Sequence, residues 1–235
     1  MNREEFFSRV RDATAAGRAY RIHTADVTGE RVGYAGAADD PAARLIEEVN
    51  KVGGTAHRAK SHREARNVLA ALLRECRPAS ALCWQHAVLE RLGLCELLAE
   101  LGVRYLAYDE LAALDPAMAQ KRMLEAEIGI SSVTYAVAET GTLAVASATG
   151  RERSASLLPP VHVAVVEADQ ILADLFDLFD ALETAGLDRL SSNLTLITGP
   201  SKTGDIELTL TTGVHGPGRW HVIVIAPIVP ERSER

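Results

Sequence analysis

The sequence predicts an α/β fold in three layers: a mostly parallel sheet of about seven strands, covered by helices on both faces. Three observations carry this. Short apolar runs rich in β-branched residues recur, as at residues 161–166 and 220–225. Between them lie stretches with apolar residues at helical spacing, clearest at Ala65, Val68, Leu69, Leu72, Leu73 and Cys76. The chain has 235 residues, 47% of them hydrophobic, so a sizeable core can be buried.

Taken in order, residues 3–16 place Phe6, Phe7 and Val10 on one face of a short docking helix. Residues 20–40 are polar and contain Gly29, Gly33 and Gly36, which reads as a loop. Pro41 suits a first helical turn capped by Asp39 or Asp40, with Leu45, Ile46 and Val49 as its apolar stripe and Gly53-Gly54 as its end. The Ala65–Cys76 stripe is a helix stopped by Arg77-Pro78, and residues 80–84 are a buried strand. Residues 86–101 read as a helix weakened at Gly93, residues 103–108 as a strand, and residues 118–128 as a helix.

The second half alternates more cleanly. Residues 133–137 and 142–146 are strand-like around Ala138-Glu139-Thr140-Gly141, and residues 161–166 form a β-branched strand. Ile171, Leu172, Leu175, Phe176, Phe179 and Leu182 form a helix stripe, opposite a solvated acidic face at Asp174, Asp177, Asp180 and Glu183. Residues 194–198 and 220–226 complete the strands. The expected organisation is a single domain over residues 1–235, with residues 1–60 as a helical segment packing as a cap.

Composition excludes several classes. With 25 basic and 32 acidic residues the formal charge is −7, against the basic surface of a nucleic-acid binder. No apolar run approaches the roughly 18 residues of a membrane span, and the start Met1-Asn2-Arg3-Glu4-Glu5 lacks an apolar leader, so a cytoplasmic protein is expected. Cys76, Cys83 and Cys95 show no Cys-x-x-Cys spacing and read as packed thiols. Iron–sulfur clusters usually need four thiolates, so no such cluster is expected in this chain, and no metal site is visible.

The chemistry concentrates at Gly199-Pro200-Ser201-Lys202-Thr203-Gly204-Asp205-Ile206-Glu207 and at Gly213-Val214-His215-Gly216-Pro217. Glycines allow close backbone approach, Ser201 and Thr203 add hydroxyls, and Lys202 adds charge. A short helix starting near Gly204 would aim its N-terminus at the same place, at the carboxyl edge of the sheet where ligands bind. The spacing fits an anion nest and a capped strand-to-helix turn equally well. Asp205 and Glu207 fit a cation or hydroxyl site, or the first turn of that helix. His215 fits an acid–base role or a turn hydrogen bond.

A second cluster is Glu139-Thr140-Gly141-Thr142, where Glu139 fits a nucleophile or base, or the polar tip of a hairpin. Arg151, Arg153 and Ser154 fit an anion clamp or a solvated loop. His162 reads as a buried, hydrogen-bonded strand residue, and Trp84 and Trp220 are too few for a base-stacking surface.

Ala138-Glu139-Thr140-Gly141-Thr142, Leu158-Pro159-Pro160-Val161-His162, and the Gly199 and Gly213 segments together resemble the LUD-domain family, over about residues 118–226. The resemblance implies a fold of the sugar-phosphate isomerase and CoA-transferase type. It also implies a place in a three-protein system that oxidises L-lactate to pyruvate. The partners there are iron–sulfur lactate-utilisation proteins, and sparse cysteines fit the component without clusters. The signature positions it transfers are Glu139, Thr140, Gly141, Thr142, Ser201, Thr203, Asp205, Glu207, His215 and Gly216. Lys202 and Gly204 stand where family members often carry Arg and Ala, and Lys keeps the charge without the planar fork. The expectation is a small-anion or nucleotide site at the Gly199 and Glu139 loops. The alternative is a stand-alone enzyme for a CoA thioester, nucleotide or sugar phosphate. Apolar edge strands also fit a homodimer.

Overall fold

The computed structural model describes residues 2–17, 36, 37, 39–186, 191–206 and 209–227. Most of the loop expected at 20–40 lies outside them, as do Glu207 and the last eight residues of the chain. The chain divides into two units, residues 1–34 and residues 35–235. In the first, helix α1 (Arg3–Gly17) carries Glu4 and Glu5 in its first turn, where the helix dipole favours acids. Its Phe6, Phe7 and Val10 are exposed.

The second unit begins with α2 (Pro41–Lys51). Asp40 caps it by accepting from the Ala43 N–H at 3.0 Å, and Leu45 and Val49 are fully buried. The chain then runs through β1 (Thr55–Ala59), α3 (His62–Cys76), β2 (Ser80–Cys83), α4 (Ala87–Arg91), α5 (Leu94–Glu100), β3 (Arg104–Leu106), α6 (Tyr108–Ala112) and α7 (Pro116–Leu124). It continues with β4 (Ile128–Ser131), β5 (Tyr135–Val137), β6 (Thr142–Ala146), α8 (Ser154–Leu157), β7 (Val161–Glu167), β8 (Ile171–Leu172) and α9 (Leu175–Ala185). The last elements are β9 (Leu194–Ile197), β10 (Lys202–Ile206), β11 (Thr209–Thr212) and β12 (Arg219–Ile225).

Six strands form one sheet in the order β1-β12-β7-β4-β2-β3, parallel throughout. Its central strands are buried on both faces, as Ile128, Ile130 and Val163–Val166 show. A smaller mixed sheet has the order β8-β5-β6-β9, and β10 and β11 form a separate antiparallel pair.

Several expectations change. The strands at 133–137, 142–146 and 194–198 belong to the smaller sheet, not to a single seven-stranded one. The reason is local: the short turn between β5 and β6 permits only an antiparallel pair, because a parallel return needs a long crossover. Two strands of the main sheet were not anticipated. One is β1, which lies inside the segment expected to be a helical cap and forms an edge of the sheet. The other is β4, part of which was read as the end of a helix. Gly129 explains it, since a Cβ there would lie 1.7 Å from the Ala155 carbonyl oxygen, so α8 crosses β4 where only glycine fits.

Gly93 adopts φ +61 and breaks the expected long helix into α4 and α5. The stripe expected from Ile171 also shifts, because β8 takes Ile171 and Leu172. Asp174 caps α9, which buries Leu178 and Leu182 and leaves Phe176 and Phe179 41% and 57% exposed. The helix expected near Gly204 is strand β10. Of the cysteines, Cys83 is buried, Cys76 half-buried, and Cys95 exposed rather than packed, since α5 turns Leu94, Leu97 and Leu98 inward instead.

Candidate functional site

A cavity of about 300 Å³ opens where the Gly199 and Gly213 loops meet. Its wall takes Ser156 and Leu157 from the end of α8, His162 from β7, residues 195–197 from β9, Trp220 from β12, and both loops. The loops are joined through their backbones. The Ser201 N–H donates to the Pro217 carbonyl at 2.9 Å, and the Gly213 N–H donates to the Ser201 carbonyl at 2.9 Å. The N–H groups of Gly218 and Arg219 both donate to the Pro160 carbonyl, which ties in the segment before β7. Gly199 holds φ +102, and a Cβ there would lie 3.0 Å from the Val52 carbonyl oxygen, a position that disfavours larger residues.

His162 and Trp220 are the second residues of β7 and β12 and sit opposite each other in register. The cavity therefore lies at the amino ends of the parallel strands. This corrects the expected carboxyl-edge position, which assumed that β9 belonged to the parallel sheet. The carboxyl edge holds a different group: His62 Nε2 lies 2.6 Å from Glu167 Oε1, and Arg91 pairs with Glu167.

The inner wall of the cavity is polar and neutral. His162 is fully buried, its Nε2 lies 2.9 Å from Ser131 Oγ, and burial pushes its pKa down to about 4. Its Nδ1 and Trp220 Nε1 are buried and bond no described residue. A buried polar atom left unpaired costs about 1–3 kcal/mol, and both atoms are packed beneath the cavity surface rather than presented to it. The Trp220 ring is held by Gly54, where a Cβ would lie 2.5 Å from the ring.

The structure divides the expected site residues into three groups. Gly199, Ser201, Lys202, His215 and Gly216 line the cavity, with His215 exposed at its mouth. The Lys202 ammonium donates to the Val52 carbonyl at 2.7 Å, so its charge serves the end of α2.

A second group braces the first. Thr140 Oγ1 lies 2.7 Å from Thr142 Oγ1, which lies 2.8 Å from Thr198 Oγ1 on the cavity wall. Gly141, with φ +66, packs the hairpin tip against α2, a Cβ there falling 2.8 Å from the Glu48 carbonyl carbon.

The third group lies elsewhere. The Glu139 N–H donates to the Ala173 carbonyl at 3.1 Å, and Glu139 is not among the wall residues. Arg153 is exposed and lines a separate depression with Ser147, Glu152 and Asn193. Thr203 pairs with Thr211 in the β10–β11 ladder, and Asp205 lies on β10. With β10 a strand, Asp205 does not belong to a first helical turn.

Sequence reasoning missed Trp220 and Ser156 as wall residues and placed His162 only in the core. The available signal was polar interruption of apolar strands: Ser131, His162 and Trp220 fall on one face of adjacent strands, and β4 and β7 are in register there. Among the described residues, no three His, Cys, Asp or Glu side chains are grouped to hold a metal ion.

A parallel α/β sheet with a loop-built cavity beside a smaller mixed sheet defines the class, and the chain belongs to the LUD domain family, whose model matches residues 42–225. Among curated relatives, the Lactate utilization protein C of Halalkalibacterium halodurans is 31% identical over 156 residues, 66% of each chain. The protein of the same name from Shouchella clausii is 36% identical over 110 residues, 45% of this chain and 48% of that one. The matches thus span about half to two thirds of those relatives. A crystal structure of a DUF162 family protein from Deinococcus radiodurans shares the fold, with a TM-score of 0.57 at 20% identity, over 79% of this chain and 96% of that one.

Proposed function

We propose that this chain is the cluster-free component of an L-lactate oxidising system, acting beside iron–sulfur partner proteins in the cytoplasm, and that its cavity holds a small anionic ligand of that pathway. The observation that carries the reading is the convergence of three family motifs on one cavity. Similarity to proteins named for lactate utilisation supplies the pathway. Ser201 and the Gly199 and Gly216 backbone contact the ligand, and His215 at the mouth is placed to exchange a proton with it. Thr140, Gly141 and Thr142 hold the wall in position. Kinship with sugar-phosphate isomerase and CoA-transferase folds belongs to the same reading, supported by the six-stranded parallel sheet.

Deletion of the gene tests the pathway. Growth on L-lactate as sole carbon source should stop and return on complementation, and the tagged protein should co-purify with iron–sulfur proteins. Normal lactate growth in the deletion strain refutes the reading.

A further inference from the structure

We propose that a second cavity, at the amino ends of β2 and β3, binds a phosphate monoester carrying a small apolar group, with Arg74 and Arg77 on the phosphate. The cavity measures about 420 Å³ and is lined by Leu73, Arg74, Arg77, Pro78, Leu101 and Val103. Strand β4 separates it from the Gly199–Gly213 cavity, and the two share no wall residue.

Backbone conformation gives the first argument. Arg77 ends α3 at φ 47 and ψ 50, and among the described residues no other residue with a side chain has a positive φ. That left-handed region is costly for a residue with a Cβ and free for glycine, the usual residue at a helix end. Pro78 adds a constraint, since the residue before a proline is pushed toward extended backbone. The cap itself needs no side chain: the Arg77 N–H donates to the Leu73 carbonyl at 2.8 Å, a bond that glycine would make equally well. The dipole at the end of α3 favours a cation, but Arg74 in the last turn already supplies one without strain. An arginine held where glycine fits better points to a use for its guanidinium.

Charge and accessibility give the second. Arg74 and Arg77 are both exposed, and neither guanidinium makes a hydrogen bond or ion pair with a described residue. Among the described residues, no acid lines the cavity. Two guanidinium groups, each a planar fork of donors, match a phosphate monoester, which carries nearly two negative charges and three terminal oxygens. A carboxylate offers one charge and two oxygens.

The rest of the wall gives the third. Leu73, Pro78, Leu101 and Val103 are apolar, and they suit a ring or short alkyl chain on the ester oxygen while the arginines hold the phosphate.

Isothermal titration of the full chain with phenyl phosphate, inorganic phosphate, benzoate and phenol tests this. Phenyl phosphate should bind at least about ten-fold more tightly than each of the others, one charged hydrogen bond or one buried ring corresponding to about that factor. Arg77→Gly should weaken phenyl phosphate by about ten-fold or more and leave the melting temperature unchanged or higher, because glycine relieves the strain. Arg74→Gln should weaken it by a similar factor. Benzoate matching phenyl phosphate overturns the phosphate head, inorganic phosphate matching it overturns the apolar part, and phenol matching it overturns the anion site. No binding of phenyl phosphate, or unchanged affinity in Arg77→Gly, overturns the site as a whole. A lower melting temperature in Arg77→Gly gives the side chain a structural role and overturns the argument from strain. Loss of binding in Ser201→Ala with Arg77→Gly unaffected places the ligand in the Gly199–Gly213 cavity and overturns the second site.

Discussion

Acidification should expose the neutral, buried state of His162. The imidazole ordinarily titrates near 6.5 and in the folded chain near 4. Below about pH 6.5 the unfolded chain takes up a proton that the folded chain refuses, so stability falls with pH until the folded imidazole itself titrates near 4. At about 1.4 kcal/mol per pH unit the full loss is about 3 kcal/mol. His57, His86 and His221 are also lowered, chiefly by burial, and act in the same direction. Comparison with His162→Gln, which keeps a polar group beside Ser131 without titrating, isolates the one residue. Urea unfolding of both proteins at pH 7, 6, 5 and 4.5 should show the parent losing about 2–3 kcal/mol more than the variant. Equal losses would mean that His162 is protonated in the folded chain or reached by water, and the description of a neutral inner wall would fail.

Three other changes test the packing around the site. Gly129→Ala sets a methyl against the Ala155 carbonyl and should lower stability by about 3 kcal/mol or more, read from thermal or urea unfolding. Thr142→Val breaks the hydroxyl chain from Thr140 to Thr198 and should cost about 1–2 kcal/mol, with weaker ligand binding in titration because the wall loses its brace. Lys202→Met removes the contact with Val52 and should cost about 1 kcal/mol, yet change the affinity for a small carboxylate by less than about ten-fold; a larger loss would place the ammonium on the ligand.

Much of the fold could be read from period and punctuation. Asp40-Pro41, the Ala65–Cys76 stripe, and the runs that became β7 and β12 stand where pattern places them, because each carries its local signal whole. What could not be read was set by distant partners. Gly129 shows its reason only once Ala155 lies over it, and nothing local marks residues 128–131 as a central strand. The β5–β6 turn was visible, but its consequence, a second sheet, depends on the distant β9 pairing antiparallel with β6, Leu143 opposite Ile197. The Gly199 and Gly213 loops were legible as a site from composition. His162 and Trp220 were not, since an imidazole and an indole inside apolar runs read as core until their unpaired atoms and the cavity stand side by side.

The position of the cavity also explains why the signature is spread over four segments. At the carboxyl edge of a parallel sheet, a single strand-to-helix loop presents backbone donors to a ligand, and one glycine-rich motif suffices. That edge here holds the ion pairs of Glu167 with His62 and Arg91. At the amino edge no long helix among the described residues begins over the cavity, so the wall is assembled from chain that arrives from several directions. Pro160 receives the N–H groups of Gly218 and Arg219, Ser201 exchanges bonds with Pro217 and Gly213, and Thr142 reaches Thr198 from the other sheet. The motifs thus divide contact from support: Ser201 and Gly216 touch the cavity, whereas Thr140, Gly141 and Thr142 fix the turn that carries its rim. A signature built this way constrains residues that never meet the ligand. The motif containing Glu139 therefore has a structural reason to exist whether or not its carboxylate takes part in chemistry.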